Sequence, residues 1–248
     1  MSLLKFGKKS IPPHHQISDA MQSRDVALIR RMFIKFPEEL NNPDAILGCH
    51  LHDACGVGDL DCIKAIVDFG GDINLKDDRD GVAPIGRACG SVRVEIVKYL
   101  LSLGCELDVS TSLRNPLFGC IASILPRNDY YGKSAGFADR NEVSAAMLEI
   151  AHLLIDHGID LTACYIQQSM VDMDASAFAF MMGQVEIGEA VITALYGHDV
   201  RLAAGARAEA LEVAVGNGWS RQKFRKRRYP PKRGKDNDAL PQEGEFWV

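Results

Sequence analysis

The segment from Ile46 to Asp108 states one pattern twice. Gly48-Cys49-His50-Leu51-His52-Asp53-Ala54-Cys55 lies 34 residues ahead of Val82-Ala83-Pro84-Ile85-Gly86-Arg87-Ala88-Cys89. At the same offset Leu60, Cys62, Ile63, Ile66, Val67 and Phe69 fall on Val94, Ile96, Val97, Leu100, Leu101 and Leu103. Gly70 falls on Gly104, and Ile73 on Leu107. Each copy reads as a short apolar helix, a polar break, a second helix with apolar residues at i, i+3, i+4 and i+7, and a glycine stop. A repeat of this length built from two helices and a turn constrains the chain to a stacked helical array.

The run Asp80-Gly81-Val82-Ala83-Pro84-Ile85-Gly86-Arg87-Ala88-Cys89, followed by Val94-Glu95-Ile96-Val97-Lys98-Tyr99-Leu100-Leu101 and Gly104, resembles the ankyrin repeat. That family opens on an Asp-Gly turn and Thr-Pro-Leu-His, and closes its second helix with Leu-Leu before Gly. Here Ala83 stands for Thr, Ile85 for Leu and Gly86 for His, whereas the first copy keeps Leu-His as Leu51-His52. The resemblance is specific over residues 44–108. It implies an all-α fold: an ankyrin-repeat-like α-solenoid with degenerate terminal repeats and a disordered basic C-terminal tail.

Taken in order, residues 1–16 are a polar leader with Pro12-Pro13, expected to lack regular structure. Ile17 to Leu40 reads as a helical pair broken at Ser23-Arg24-Asp25, where the repeat puts its inter-helix turn, and is assigned as a cap over 17–43. Repeats follow at about 44–77 and 78–111. Asn115-Pro116 restarts the pattern in a third repeat, 112–161, whose second helix is expected at Ala145 to His157 before Gly158. The added length lies in a polar loop, Pro126 to Asn141. A fourth, degenerate unit (162–198) contains the segments Ala175 to Met182 and Val185 to Leu195, and Arg201 to Val215 forms a C-terminal cap within 199–218. Residues 219–248 read as a basic flexible tail, with the composition of disorder from Ser220 to Leu240.

The 248 residues are 47% hydrophobic and 25% charged, which suits a sizeable core. No run of about 18 apolar residues is present, so no membrane partner is expected. No apolar segment follows Lys5, Lys8 and Lys9, so a secretion signal is not expected either. Seven cysteines, at helix positions, point to reduced thiols and a cytoplasmic location. The net charge of −5 is unevenly spread: residues 1–220 carry 19 Lys and Arg against 29 Asp and Glu, whereas 221–248 carry 9 against 4. An acidic body and a basic tail have different electrostatic partners.

Cys49-His50-x-His52-x-x-Cys55, with Cys62 downstream, has the look of a zinc cluster. The repeat alignment reads it otherwise: Cys55 matches Cys89 at a close-packing position, and Cys62 matches the core residue Ile96. Free cysteine packs as a small hydrophobe, so no metal and no cofactor are expected. Gly56-Val57-Gly58-Asp59 lacks the strand and third glycine of a dinucleotide loop and falls at an inter-helix turn. His52 occupies the ankyrin family's turn-stabilising position. No nucleophile–base set has a catalytic spacing, so no enzyme activity is expected.

Surface recognition remains, and in the ankyrin family it uses turn tips and the exposed side of each first helix. The corresponding residues are Asp53 and Val57 in the first repeat, Asp77, Asp78, Arg79 and Asp80 at the next tip, and Arg87 and Ser91 in the second repeat. Tyr130 and Tyr131 in the long loop join them. The expected partner is another protein. Resemblance to small bacterial ankyrin proteins suggests an immunity or antagonist protein that neutralises a basic toxin or nuclease. The alternative is a nucleic-acid-associated adaptor that uses Arg225, Lys226, Arg227 and Arg228 on phosphates. Phe246-Trp247-Val248 is apolar for a solvated segment and offers a fold-back contact or a peptide motif.

Overall fold

The computed structural model describes residues 11–42, 49–123, 140–167, 170–197 and 199–216. It divides into two compact units, 1–84 and 85–248.

In the first unit, α1 (Pro13–Gln22) pairs with α2 (Val26–Lys35), and α3 (His50–Val57) with α4 (Leu60–Asp68). Helix α1 starts at Pro13, inside the expected irregular leader. Proline suits a helix's first turn, where its missing N–H has no intrahelical partner to lose. Asp25 caps α2 by accepting from the Leu28 N–H at 2.9 Å, and Asp59 caps α4 through Cys62 N–H at 2.9 Å. The apolar stripe of α2, Ile29, Met32 and Phe33, is buried, as are Ile63 and Ile66 of α4. First helix packs on first helix (α1 on α3), and second on second (α2 on α4). This buries each stripe against its own partner and the next pair. A 3-10 turn at Pro37–Glu39 follows α2.

The second unit comprises α5 (Pro84–Gly90), α6 (Val94–Ser102), α7 (Pro116–Ile121), α8 (Arg140–Asp156), the strands β1 (Tyr165–Gln167) and β2 (Met170–Met173), α9 (Ala175–Met182), α10 (Val185–Tyr196) and α11 (Val200–Gly216). Helices α7, α9 and α11 pack successively, and so do α6, α8 and α10, which repeats the two-row logic. Lys98 on α6 donates to Glu95 at 2.9 Å and to Glu149 of α8 at 2.8 Å. Asn115 caps α7 through the N–H groups of Leu117 (2.9 Å) and Phe118 (3.3 Å). Asp174 caps α9 through Ala177 N–H at 2.7 Å.

One turn recurs through the chain. Arg24 (φ 57°), Gly58 (92°), Val92 (52°) and Gly183 (70°) all take the left-handed conformation between the two helices of a pair. Arg24, Gly58 and Val92 are spaced 34 residues apart, so the period extends back to the first pair. The stops Gly70, Gly104 and Gly158 are left-handed as well. The fold is all-α and of the ankyrin-like solenoid class.

Three further details depart from the expectations. The second helix of the third repeat begins at Arg140, earlier than Ala145, and takes in the last two residues of the expected loop. The segment before Asp174 is an antiparallel hairpin, with Tyr165 opposite Met173 and Gln167 opposite Met170 around a bulge. Helix α11 lies within the expected cap and runs one residue beyond the expected helix, Arg201 to Val215, at each end. The loop bearing Tyr130 and Tyr131, and the basic tail, lie outside the described residues.

Candidate protein-interaction surface

The tip that follows α4 is built around Asp77. Its Oδ1 accepts from the backbone N–H groups of Arg79 (3.1 Å), Asp80 (2.7 Å) and Gly81 (3.1 Å). Its carbonyl accepts from Gly81 N–H at 3.0 Å, and its N–H donates to the Val82 carbonyl at 3.0 Å. The side chain is buried. Asp77 was expected at the exposed partner surface; that expectation is corrected, because its carboxylate is occupied in shaping the turn. A carboxylate collecting amide donors makes strong, charge-assisted bonds. The result is a fixed loop that holds Asp78 and Arg79 in solvent, with Asp80 half-buried and paired to Arg79 at 3.8 Å.

The same tip is tied to α3 by His52. Its Nδ1 accepts from Cys49 N–H at 3.3 Å, so Nε2 carries the proton and donates to the Val82 carbonyl at 2.8 Å. The Val82 carbonyl thus receives both Asp77 and His52. Asp53 and Val57, one helical turn apart on α3, are half-buried. Arg87 and Ser91, likewise half-buried and four residues apart, belong to the second unit.

That unit carries a tie the sequence did not announce. Phe118 occupies the position that His52 holds in the first repeat, and Tyr165 of β1 packs edge-on against it at 4.9 Å. The Tyr165 hydroxyl donates to the Val109 carbonyl at 2.6 Å and accepts from Asn115 Nδ2 at 3.0 Å. Phe178 stacks on Phe118 at 4.7 Å. An aromatic from the hairpin therefore anchors this connection in place of a histidine. The only signal in the sequence was a tyrosine within the short apolar stretch Ala163-Cys164-Tyr165-Ile166, ahead of the polar Gln167 and Gln168.

The cysteine–histidine segment is core. Cys49, Cys55, Cys62 and Cys89 are buried, and so are His50 and His52. Cys49 Sγ lies 3.1 Å from His52 Nδ1, a pairing that would activate an exposed thiol. Burial instead pushes the Cys49 thiol up, and His52 is committed to Val82. Burial also pushes Cys62 to about 12, Cys105 to about 11 and Cys120 to about 12. These groups stay protonated at neutral pH, which does not suit a nucleophile. Among the described residues no group of three His, Cys, Asp or Glu is placed to hold a metal ion. No described helix is long and apolar enough to cross a membrane.

His50 occupies the position taken by Pro84 and Pro116 in later repeats. Among the described residues neither ring nitrogen has a partner within hydrogen-bond distance. Phe33 stands edge-on at 5.9 Å, and Glu39 Oε2 lies 3.8 Å from Nε2. Burial lowers the imidazole's proton affinity, with Glu39 opposing.

The geometry agrees with the comparisons to known proteins. The family model for ankyrin repeats matches residues 19–123 in three copies, so this part of the chain carries ankyrin repeats. Protein phosphatase 1 regulatory subunit 27, from Homo sapiens and from Mus musculus, is 38% identical over 60 residues, 24% of this chain and 38% of the relative. Ankyrin repeat and SOCS box protein 6 of Homo sapiens is 24% identical over 127 residues, 48% of this chain and 28% of the relative. The chain thus spans 38% and 28% of the length of these relatives.

Proposed function

We propose that this chain works by binding another protein, as a regulatory or antagonist subunit, and that the tip after α4 is part of its working surface. Ankyrin repeats mediate protein–protein interaction, and a relative over 60 residues is by name a phosphatase regulatory subunit. The observation that carries the reading is the use of a buried carboxylate, Asp77, to hold Asp78 and Arg79 out on a fixed loop. A preformed loop loses little entropy on binding, and its charges steer the encounter. The acidic body favours a partner with a basic surface, for which a toxin or nuclease held by an immunity protein is one concrete form. No catalytic role is assigned to any residue.

Affinity capture from the native host with wild-type and Asp78→Lys/Asp80→Lys baits tests this. The partner should be retained by the wild type and lost, or bound more slowly, by the variant. The difference should shrink with salt, because exposed charges are screened within about 10 Å at 0.1 M. The variant should keep its helical signal, since neither side chain is buried. Removal of residues 221–248 separates the nucleic-acid alternative. Loss of partner by truncation alone, with the tip variant unaffected, would move the site to Arg225–Arg228 and sink the present reading.

A further inference from the structure

Helix α11 has two apolar faces, only one of which is covered. Ala210 and Ala214 are buried in the contact with α9 and α10. Around the helix from them, Val200, Ala204, Ala208, Leu211 and Val215 recur at spacings of four, four, three and four. At about 100° per residue these five fall within a stripe of about 80°. All are exposed, Val200 at 81%, Leu211 at 37% and Val215 at 55%. The outer helix of a stacked array is expected to be polar there. The sequence that follows, with Pro230, Pro231, Gly234, Pro241 and Gly244, has no apolar residues at helical spacing to match the stripe.

The stripe is complementary to itself. Laid antiparallel on a second copy about a point between residues 207 and 208, Val200 of one copy faces Val215 of the other. Leu211 faces Ala204, large against small, and the alanines at the centre let the backbones approach. Arg201 and Glu212 lie on the same border of the stripe, near opposite ends of the helix. Neither is ion-paired among the described residues. In the antiparallel arrangement Arg201 of each copy comes beside Glu212 of the other, and each helix's positive end meets a negative one.

We propose that α11 is a self-association surface through which two copies of this chain pair their terminal helices antiparallel. Sedimentation equilibrium of the full chain, at low salt and over a wide concentration range, should show a reversible monomer–dimer equilibrium. Arg201→Glu and Glu212→Arg each turn two attractive contacts into repulsive ones, and each alone should weaken the dimer at least about tenfold. Both changes favour the helix, placing an anion near its N-terminus or a cation near its C-terminus, so folding is preserved. An equimolar mixture of the two variants should recover association, because both contacts again join opposite charges. Val200→Glu, also compatible with a helix start, should weaken the dimer as strongly. A wild type that stays monomeric at every concentration overturns the proposal and leaves the face to another protein or to residues 217–248. A dimer indifferent to Val200→Glu overturns it as well, and a mixture that fails to recover overturns the antiparallel pairing.

Discussion

Asp77 and Asp78 are adjacent residues of the same chemistry with opposite tasks, one accepting three amide bonds in the interior of a turn and the other standing in solvent. The string Asp77-Asp78-Arg79-Asp80 gave no way to separate them, because it specifies charge density and leaves open which carboxylate points back at the backbone. His52 was legible, since its place in the repeat fixes its role. His50 was not: only packing shows that it lies next to Phe33, with Glu39 3.8 Å away. Its burial makes a pH dependence. The ring's proton affinity is lower in the folded chain than the unfolded value of 6.5. Near and below that value the unfolded chain binds the proton and the folded chain resists it. Stability is therefore full above about pH 7.5 and falls as pH drops through 6.5 toward the lowered folded value. Urea unfolding at pH 7.5 and pH 5.5 should show a loss in the wild type that is smaller in His50→Leu. An equal loss in both would place the acid sensitivity elsewhere.

At the scale of elements, most helices could be read from apolar spacing because burial on one face leaves a period that survives substitution. The first pair shows this: it keeps the left-handed turn at Arg24 in register with Gly58 and Val92 although arginine and valine stand where glycine is cheapest. The hairpin before Asp174 was missed for a physical reason. Its strands are three and four residues long, too short for alternation to be distinguished from an irregular link. Glycines at the ends of elements differ sharply in what they permit. A Cβ on Gly71 would stand 2.7 Å from Ile66 Cγ2 and 3.0 Å from the Ile66 carbonyl oxygen, at the foot of α4. A Cβ on Gly56, inside α3, would meet nothing within 4 Å. Gly71→Ala should therefore destabilise by about 1–3 kcal/mol through overpacking. Gly56→Ala should be neutral or stabilising by up to about 1 kcal/mol, since alanine is the better helix former. Thermal or urea unfolding of the two variants side by side checks the contrast.

For the chain as a whole, the cysteines report how the sequence spends its small apolar residues. Cys49, Cys55, Cys62, Cys89, Cys105 and Cys120 are buried, and Cys164 is exposed. The repeat alignment identified Cys55, Cys62 and Cys89 as core because their counterparts are packing positions. It was silent on Cys164, which lies in the degenerate stretch just before β1. An aromatic disulfide reagent at neutral pH should accordingly modify Cys164 quickly. The other six, all buried, should react only as fast as the chain opens; among them Cys62, Cys105 and Cys120 are held near 11 or 12, where a thiol is scarcely ionised. Two or more fast-reacting thiols under native conditions would contradict this core. Adding denaturant should release the remainder together within each cooperatively unfolding unit.

The Tyr165 hairpin carries an implication for how such a molecule acquires new specificity. Residues 105–114 link Gly104 to the cap Asn115, and residues 159–173 link Gly158 to the cap Asp174. The second link is half as long again, yet both deliver the chain to a capped first helix. Loop closure grows only logarithmically with length, so the added residues cost about 0.4 kcal/mol. Selection, or a protein engineer, can thus treat this link as a graftable cassette. Its sequence is open to change as long as one side chain, here Tyr165, keeps the base anchored.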